Sequence, residues 1–209
     1  MNKAEVTTEN LQLQIEADNP GETVCGIDEA GRGPLCGPVF AAAVILPTGV
    51  IIDGLRDSKK LTAAKRDELF EIIKEKAVAW SVASASPAEI DELNILEATY
   101  LAMQRAFDGL SVKPTLALID GNRSRLTGAR TICVVKGDDK CPSISAASVL
   151  AKVSRDREME HLAKEYPMYN LEKHKGYPTK EHYQLIAKYG VCEIYRKSFL
   201  KTLDKHICR

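Results

Sequence analysis

The stretch VCGIDEAGRGPLCGPVFAAAVIL, Val24 to Leu46, decides the fold. It reads as a short apolar strand, an acidic end, a glycine turn and a second strand. Val24 to Asp28 forms the first strand and Pro38 to Leu46 the second, whose run VFAAAVIL is too continuously apolar for an exposed edge. Asp28 and Glu29 close the first strand, where a carboxylate is costly to desolvate unless something positive offsets it. Gly31 and Gly33 flank Arg32, and two glycines allow main-chain groups to approach a ligand closely. Taken alone, that turn reads first as a tight bend with an exposed arginine; its place just after the Asp-Glu pair is what suits it to grip a nucleic-acid backbone.

Outward from this hairpin the pattern alternates. Thr62 to Ala79 predicts a helix, with Leu69, Phe70, Ile73 and Ala77 at helical spacing, and Trp80 to Ala85 a strand. Ser86-Pro87-Ala88-Glu89 is a capping-box start for a helix expected to continue to about Asp108. Thr115 to Asp120 and Thr131 to Val135 are short apolar strands bounded by turn residues. Ser143 to Glu165 reads as a long helix whose start, SISAAS, permits close packing. Residues 166 to 178 read as a loop, and Thr179 to Tyr189 as a last helix stopped by Gly190. Strands mixed with helices imply an α/β or α+β sheet with covering helices. Residues 1 to 22 are expected to form a loosely held extension.

Composition bounds the function. The chain has 209 residues, 44% hydrophobic and 28% charged, enough to bury a real core in one domain. No segment approaches the roughly 18 to 20 apolar residues of a membrane span, and the polar N-terminus lacks a secretory signal, so a cytoplasmic protein with no membrane partner is expected. The six cysteines show no CxxC pair or zinc spacing and are expected to be reduced, mostly packed thiols. Net charge is zero, but residues 140 to 209 hold 14 Lys plus Arg against 8 Asp plus Glu. The remainder is correspondingly acidic. That asymmetry suits a protein that holds cations in one place and phosphates in another.

The chemistry concentrates at strand ends. Asp28 and Glu29 close one strand, Asp120 closes TLALID, and Asp138 and Asp139 follow TICVV. One such residue is ordinarily a turn or cap; acids at three strand ends of one sheet predict a site for hard divalent cations, which prefer oxygen ligands. Neighbouring strand residues point to opposite faces, so Asp28 and Glu29 converge only if the strand ends or distorts between them. Ser58, Lys59 and Lys60 precede a helix and make either a phosphate site or a solvated helix start. Lys152 and Arg155 share a helix face, either on phosphates or in solvent. Tyr177, in the loop HKGYPT, either packs beneath its loop, the first reading when judged alone, or stacks on a base or sugar, and Arg196 and Ser198 add polar groups near the C-terminus. His174 is placed to be a base by position only; a structural or phosphate-contacting part is expected.

GIDEAGRGPLCGPV (26–39), DSKKL (57–61), EIDELNILEATYLAMQRA (89–106), LIDGN (118–122), VVKGD (134–138), ISAASVLAKVSRDREM (144–159), HKGYPT (174–179) and RKSF (196–199), in that order, resemble bacterial ribonuclease HII, of the type 2 ribonuclease H family. The resemblance implies an α/β ribonuclease H-like fold: a mixed central β-sheet flanked by helices, with a helical C-terminal elaboration. The catalytic domain would span 23–209, with its core at 23–165 and the helical part at 166–209. It implies Mg²⁺ or Mn²⁺ held by Asp28, Glu29, Asp120 and Asp138. Two ions would serve, one activating water for in-line attack and the other stabilising the departing 3′-oxygen. It implies hydrolysis of RNA in RNA–DNA hybrids, and nicks 5′ of single ribonucleotides in duplex DNA that leave 3′-hydroxyl and 5′-phosphate ends. Gly31, Arg32 and Gly33 would sense the ribose 2′-hydroxyl and Tyr177 the junction; Ser58, Lys59, Lys60, Lys152, Arg196 and Ser198 would meet the substrate. A monomer is expected. The related ribonuclease HIII carries a sizeable extra N-terminal domain, for which the residues before Thr23 are too few. A protein that holds hybrids without cutting them would lack one of the four carboxylates.

Overall fold

The computed structural model describes residues 8–55 and 61–201. In chain order the elements are α1 (Thr8–Asp18), β1 (Val24–Ala30), β2 (Val39–Ile45), α2 (Ala63–Lys76), β3 (Ala79–Ala85), α3 (Pro87–Leu93), α4 (Ile95–Asp108), β4 (Leu116–Asp120), β5 (Arg130–Val134), α5 (Pro142–Glu165), α6 (Leu171–His174) and α7 (Lys180–Tyr189). The strands form one mixed sheet in the order β3-β2-β1-β4-β5. β1 pairs antiparallel with β2 but parallel with β4, and β4 runs parallel with β5. The expected mixed sheet with covering helices is therefore present.

Alternation along the strands sorts side chains to two cores. Cys25, Ile27, Ala117 and Ile119 face α4, packing with Ala98, Ala102 and Phe107. Ala42 and Val44 face the opposite side, where α5 supplies Ala146, Val149 and Leu150, and α2 supplies Leu69, Phe70 and Ile73. A glycine is required at position 26, because a Cβ there would overlap the backbone of Ser143 and Ile144 at the start of α5. The small residues expected to allow close packing do so against β1. Together these contacts fix how near α5 lies to the sheet.

Three expectations are corrected. The helix from Ser86 is two helices: the capping box forms at Ser86 and Glu89, but Asn94 takes φ 72° and its side chain caps Leu96 and Glu97, restarting the chain as α4. The expected loop 166 to 178 contains a 3₁₀ turn (Pro167–Tyr169) and α6. The segment read as loosely held carries α1, whose Leu11 and Ile15 pack beside Leu116, Leu118 and Ile144. Gln12 Oε1 accepts hydrogen bonds from the Ser143 backbone N–H at 2.9 Å and hydroxyl at 2.8 Å. Because Cys141 gives no side-chain cap to α5, Gln12 satisfies one of its free N–H groups from a distance in sequence.

A third cluster joins the C-terminal part to the loop after β1: Leu35, Cys36, Met159, Tyr169, Leu171, Ile186, Ile194 and Tyr195. Leu35 and Gly37 donate backbone hydrogen bonds to Gly176 and Ile194, and Arg196 donates back to Leu35. The turn at Gly31 is thus held from the far end of the chain. Among the described residues all cysteines are free and no helix is long and apolar enough to cross a membrane.

Candidate active site

Parallel neighbours end at the same edge of a sheet, which brings their terminal residues together. Ile27 is in register with Ile119, so Asp28 and Asp120 follow side by side, Asp120 ending β4 and Asp28 two residues before the end of β1. Past β5, Lys136 adopts a left-handed conformation and turns the chain into a 3₁₀ turn, Gly137–Asp139, that buries Asp138 beside α5. Gly137 N donates to Asp120 Oδ1 at 2.6 Å, tying that turn to the end of β4.

β1 continues without a break to Ala30, so Asp28 and Glu29 leave it on opposite faces. Asp28 lies buried on the α5 side, bonded to the Ser148 side chain and to the Glu29 backbone N–H at 2.8 Å. Glu29 leaves on the α4 side, where Arg32 reaches it at 3.2 Å. Burial raises the Asp28 pKa well above its ordinary value, and the charges of Glu29 and Asp120 push it further. Burial also raises Glu29, against the pull of Arg32. Among the described residues no three carboxylate, imidazole or thiol groups yet stand at the spacing of a bound ion. The donor set still fits a hard cation: every group is a carboxylate oxygen, and Asp28 feels uncompensated negative charge.

Glu29 stands between two clefts. One, of about 310 Å³, is lined by Glu29, Ala30, Gly31, Arg66, Ser148, Val149, Lys152 and Tyr177. The other, of about 260 Å³, extends from Glu29 and Asp120 along α4. In the first, Tyr177 is exposed and its ring lies 3.7 Å from where a Cβ on Gly33 would sit. Lys152 is partly exposed and paired with Asp156 at 2.5 Å. Arg66 and Ser148 were not singled out from the sequence. Ser148 lies one turn before Lys152 on α5, so helical spacing could have found it; Arg66 reaches the cleft only through the packing of α2 on α5, for which there is no local signal.

Arg196 departs from the expected phosphate contact. It is fully buried, and its guanidinium donates to four backbone carbonyls: Nε to Gly37 at 2.9 Å, Nη1 to Arg32 at 3.0 Å and Pro34 at 2.8 Å, and Nη2 to Gly31 at 2.7 Å. Burial and the neighbouring Arg155 lower its pKa to about 9. Its donors shape the Gly31–Arg32–Gly33 turn from beneath. Ser198 likewise turns inward, its hydroxyl donating to Asp91 at 2.6 Å. Ser58, Lys59 and Lys60 lie outside the described residues.

Arg155 is buried directly under Gly31. A Cβ at that position, where φ is +96°, would overlap the arginine Nε and Cδ. Its Nη2 donates to Lys175 O at 3.1 Å, while Nε and Nη1 have no hydrogen-bond partner among the described residues. The Tyr177 ring centroid lies 5.8 Å from its guanidinium carbon. Two stacked histidines support the Tyr177 loop. His174 is buried, lies 2.9 Å from Tyr169 O through Nε2 and accepts from Gly176 N through Nδ1. His182 bridges Tyr177 O and the Tyr195 hydroxyl. The expected structural part for His174 matches this geometry.

The ribonuclease HII family model matches residues 25–202. A ribonuclease HII of Janthinobacterium sp. (strain Marseille) is 57% identical over 190 residues, 91% of this chain and 90% of that one. The crystal structure of the ribonuclease H2 from Pyrococcus horikoshii OT3 superposes with a TM-score of 0.74 at 32% identity, over 89% of this chain and 97% of that one. Bst-RNase HIII in complex with Mn²⁺ shares the fold, with a TM-score of 0.72 at 20% identity, over 93% of this chain and 72% of that one.

Proposed function

The chain belongs to the ribonuclease HII family, and on that premise we propose that the acidic sheet edge is where it hydrolyses ribonucleotide-containing strands. It is a ribonuclease H, an endonuclease acting on the RNA strand of RNA–DNA hybrids and 5′ of single ribonucleotides embedded in duplex DNA. Supporting the assignment of the site is one observation above all. The carboxylates of adjacent parallel strands meet at the edge from which the Gly31–Arg32–Gly33 turn projects.

Asp28, Glu29, Asp120 and Asp138 would hold Mg²⁺ or Mn²⁺, which when bound supplies charge neutralisation and an activated water for phosphodiester hydrolysis. The side chains provide orientation. The Gly31 and Gly33 backbone, kept rigid by Arg196, approaches the ribose 2′-hydroxyl, a group able both to donate and to accept. Tyr177 stacks on the adjoining deoxyribose, and Lys152 meets a phosphate, exchanging Asp156 for it. Ser58, Lys59 and Lys60 would contact the backbone further along. Arg32, paired with Glu29 at 3.2 Å, would have to give up that carboxylate for Glu29 to hold a cation. The protein would work as a cytoplasmic monomer.

The test compares a duplex with one ribonucleotide, an RNA–DNA hybrid and an all-DNA duplex, each with Mg²⁺, Mn²⁺ or chelator. Metal-dependent nicks 5′ of the ribonucleotide, with 3′-hydroxyl and 5′-phosphate ends, are expected. Equal cutting of the all-DNA duplex overturns the reading.

A further inference from the structure

Arg196 holds the turn after β1 and must itself be held. It precedes a 3₁₀ turn, Lys197–Leu200, and gives that turn no side-chain cap. The backbone N–H groups that open a helical turn have no partner within it and need one from elsewhere. Here the partner is Asp91, on α3. Its Oδ2 accepts from the Lys197 N–H at 2.8 Å, and its Oδ1 accepts from the Ser198 N–H at 2.8 Å and the Ser198 hydroxyl at 2.6 Å. One carboxylate takes three donors, and bonds to an ionised acceptor are the strong ones. Burial pushes the Asp91 pKa up, yet the Ser198 and Lys197 donors outweigh it and leave the carboxyl below its ordinary value. α3 is braced in turn: Glu89, of its capping box, pairs with Arg105 of α4 at 2.6 Å, and the break at Asn94 ends it at Leu93. The far side of the 3₁₀ turn is fixed by Phe199, which packs against the α4-side core and the C-terminal cluster and lies 5.3 Å, ring centroid to guanidinium carbon, from Arg196.

We propose that Asp91 is a positioning residue for ribonucleotide recognition: by clamping Lys197 and Ser198 it aims the Arg196 guanidinium at the carbonyls of the Gly31 turn. The inference rests on the ribonuclease reading above, in which that turn meets the ribose 2′-hydroxyl. Asp91 lines neither cleft beside Glu29, so it acts on the reaction through Arg196 and not by touching substrate. The relay runs from the carboxylate to two adjacent backbone N–H groups, along the chain to Arg196, and from its guanidinium to Gly31, Arg32, Pro34 and Gly37. Every hydrogen bond in it is 3.0 Å or shorter. Without the carboxylate, Arg196 keeps its donors but loses the clamp on the segment that aims them. The loss is greatest where a single 2′-hydroxyl has to be met, and smallest on a long hybrid, where neighbouring hydroxyls offer other registers.

The experiment measures single-turnover cleavage with Mg²⁺ on a duplex carrying one ribonucleotide and on a long hybrid, for the unaltered protein, Asp91→Ala and Asp91→Asn. Urea unfolding first sets conditions in which every variant is folded. Asp91→Ala should lower the saturating rate on the single-ribonucleotide duplex by about tenfold relative to the hybrid, with the half-saturating concentration unchanged. Asp91→Asn, which keeps an oxygen for the Ser198 donors, should recover part of that rate. If Asp91→Ala does not fold, Ser198→Ala removes one of the three bonds and carries the same test, with a smaller loss in the same direction. Added to Arg196→Lys, Asp91→Ala should cost nothing further, because both act on the turn by one route; added to Lys152→Ala, its effect should multiply. An equal loss on both substrates, or multiplication with Arg196→Lys, makes Asp91 a cap for the C-terminal turn alone and overturns the proposal. Failure of the unaltered protein to nick the single-ribonucleotide duplex overturns the ribonuclease reading instead, so the two failures are distinguishable.

Discussion

The imidazole Nδ1 of His182 lies 3.0 Å from the backbone oxygen of Tyr177, and its Nε2 lies 3.0 Å from the Tyr195 hydroxyl. With both nitrogens engaged and its ring stacked on His174 at 4.1 Å, His182 ties the exposed tyrosine to the buried C-terminal cluster.

That tie gives a pH dependence. Burial lowers the His182 pKa from its ordinary 6.5 to about 4. The contribution of His182 to stability is therefore complete above 6.5, where both states are neutral, and is lost as pH falls through the window to about 4, where only the unfolded chain takes the proton. The loss is at most about 3 kcal/mol. Urea unfolding from pH 7.5 to 4.5 should show it, and His182→Gln should flatten the dependence over that window. An unchanged dependence in that variant would remove His182 as its origin.

Arg196 and Lys152 should separate in salt. Lys152→Ala should reduce the slope of log K against log salt concentration by about 0.9, the value for one phosphate contact in duplex DNA. Arg196→Lys should leave that slope unchanged, because its donors are spent on carbonyls, yet lower kcat on the single-ribonucleotide duplex and reduce thermal stability. A smaller salt slope for Arg196→Lys would return it to the substrate surface.

Asp120→Asn should abolish cleavage with the fold intact. Losing one of several like charges should also raise Tm without metal by a few degrees. Mg²⁺ should stabilise the parent protein more than the variant. Near-normal turnover by the variant in Mg²⁺ would dismiss the four-carboxylate assignment.

Tyr177→Ala should impair the single-ribonucleotide duplex about tenfold more than a long hybrid, where other 2′-hydroxyl groups offer alternative registers. Parallel single-turnover kinetics decide it; an identical loss on both substrates would reassign Tyr177 to general binding.

Where the site lies was legible because a parallel sheet obeys a simple rule: strand-end residues in neighbouring registers share an edge. Asp28 and Asp120 needed only the strand assignments. The capping box at Ser86 was legible because its hydrogen bonds are local. Asn94 was not, since a break inside a helical pattern depends on backbone conformation that apolar spacing does not report. Nor was the inward turn of Arg196. An arginine in a basic tail looks solvated until the tail is folded against Leu35 and Cys36, and only then does its guanidinium face four carbonyls rather than a phosphate. The continuity of β1 through Glu29 likewise came from its register with β2, which single-strand patterning cannot supply.

The bond from Arg196 to Gly31 spans 165 residues. During synthesis the four candidate carboxylates leave the ribosome before Arg196, and because a domain folds as a unit the turn beside them waits for the C-terminal segment to take its final form. The anchor of that turn is thus synthesised after the acidic edge it stands beside. A nascent chain, or one clipped shortly before position 196, has the acids without the guanidinium that holds the Gly31, Arg32, Pro34 and Gly37 carbonyls. The hold on that turn is the last thing this polypeptide acquires, and the first that C-terminal proteolysis removes.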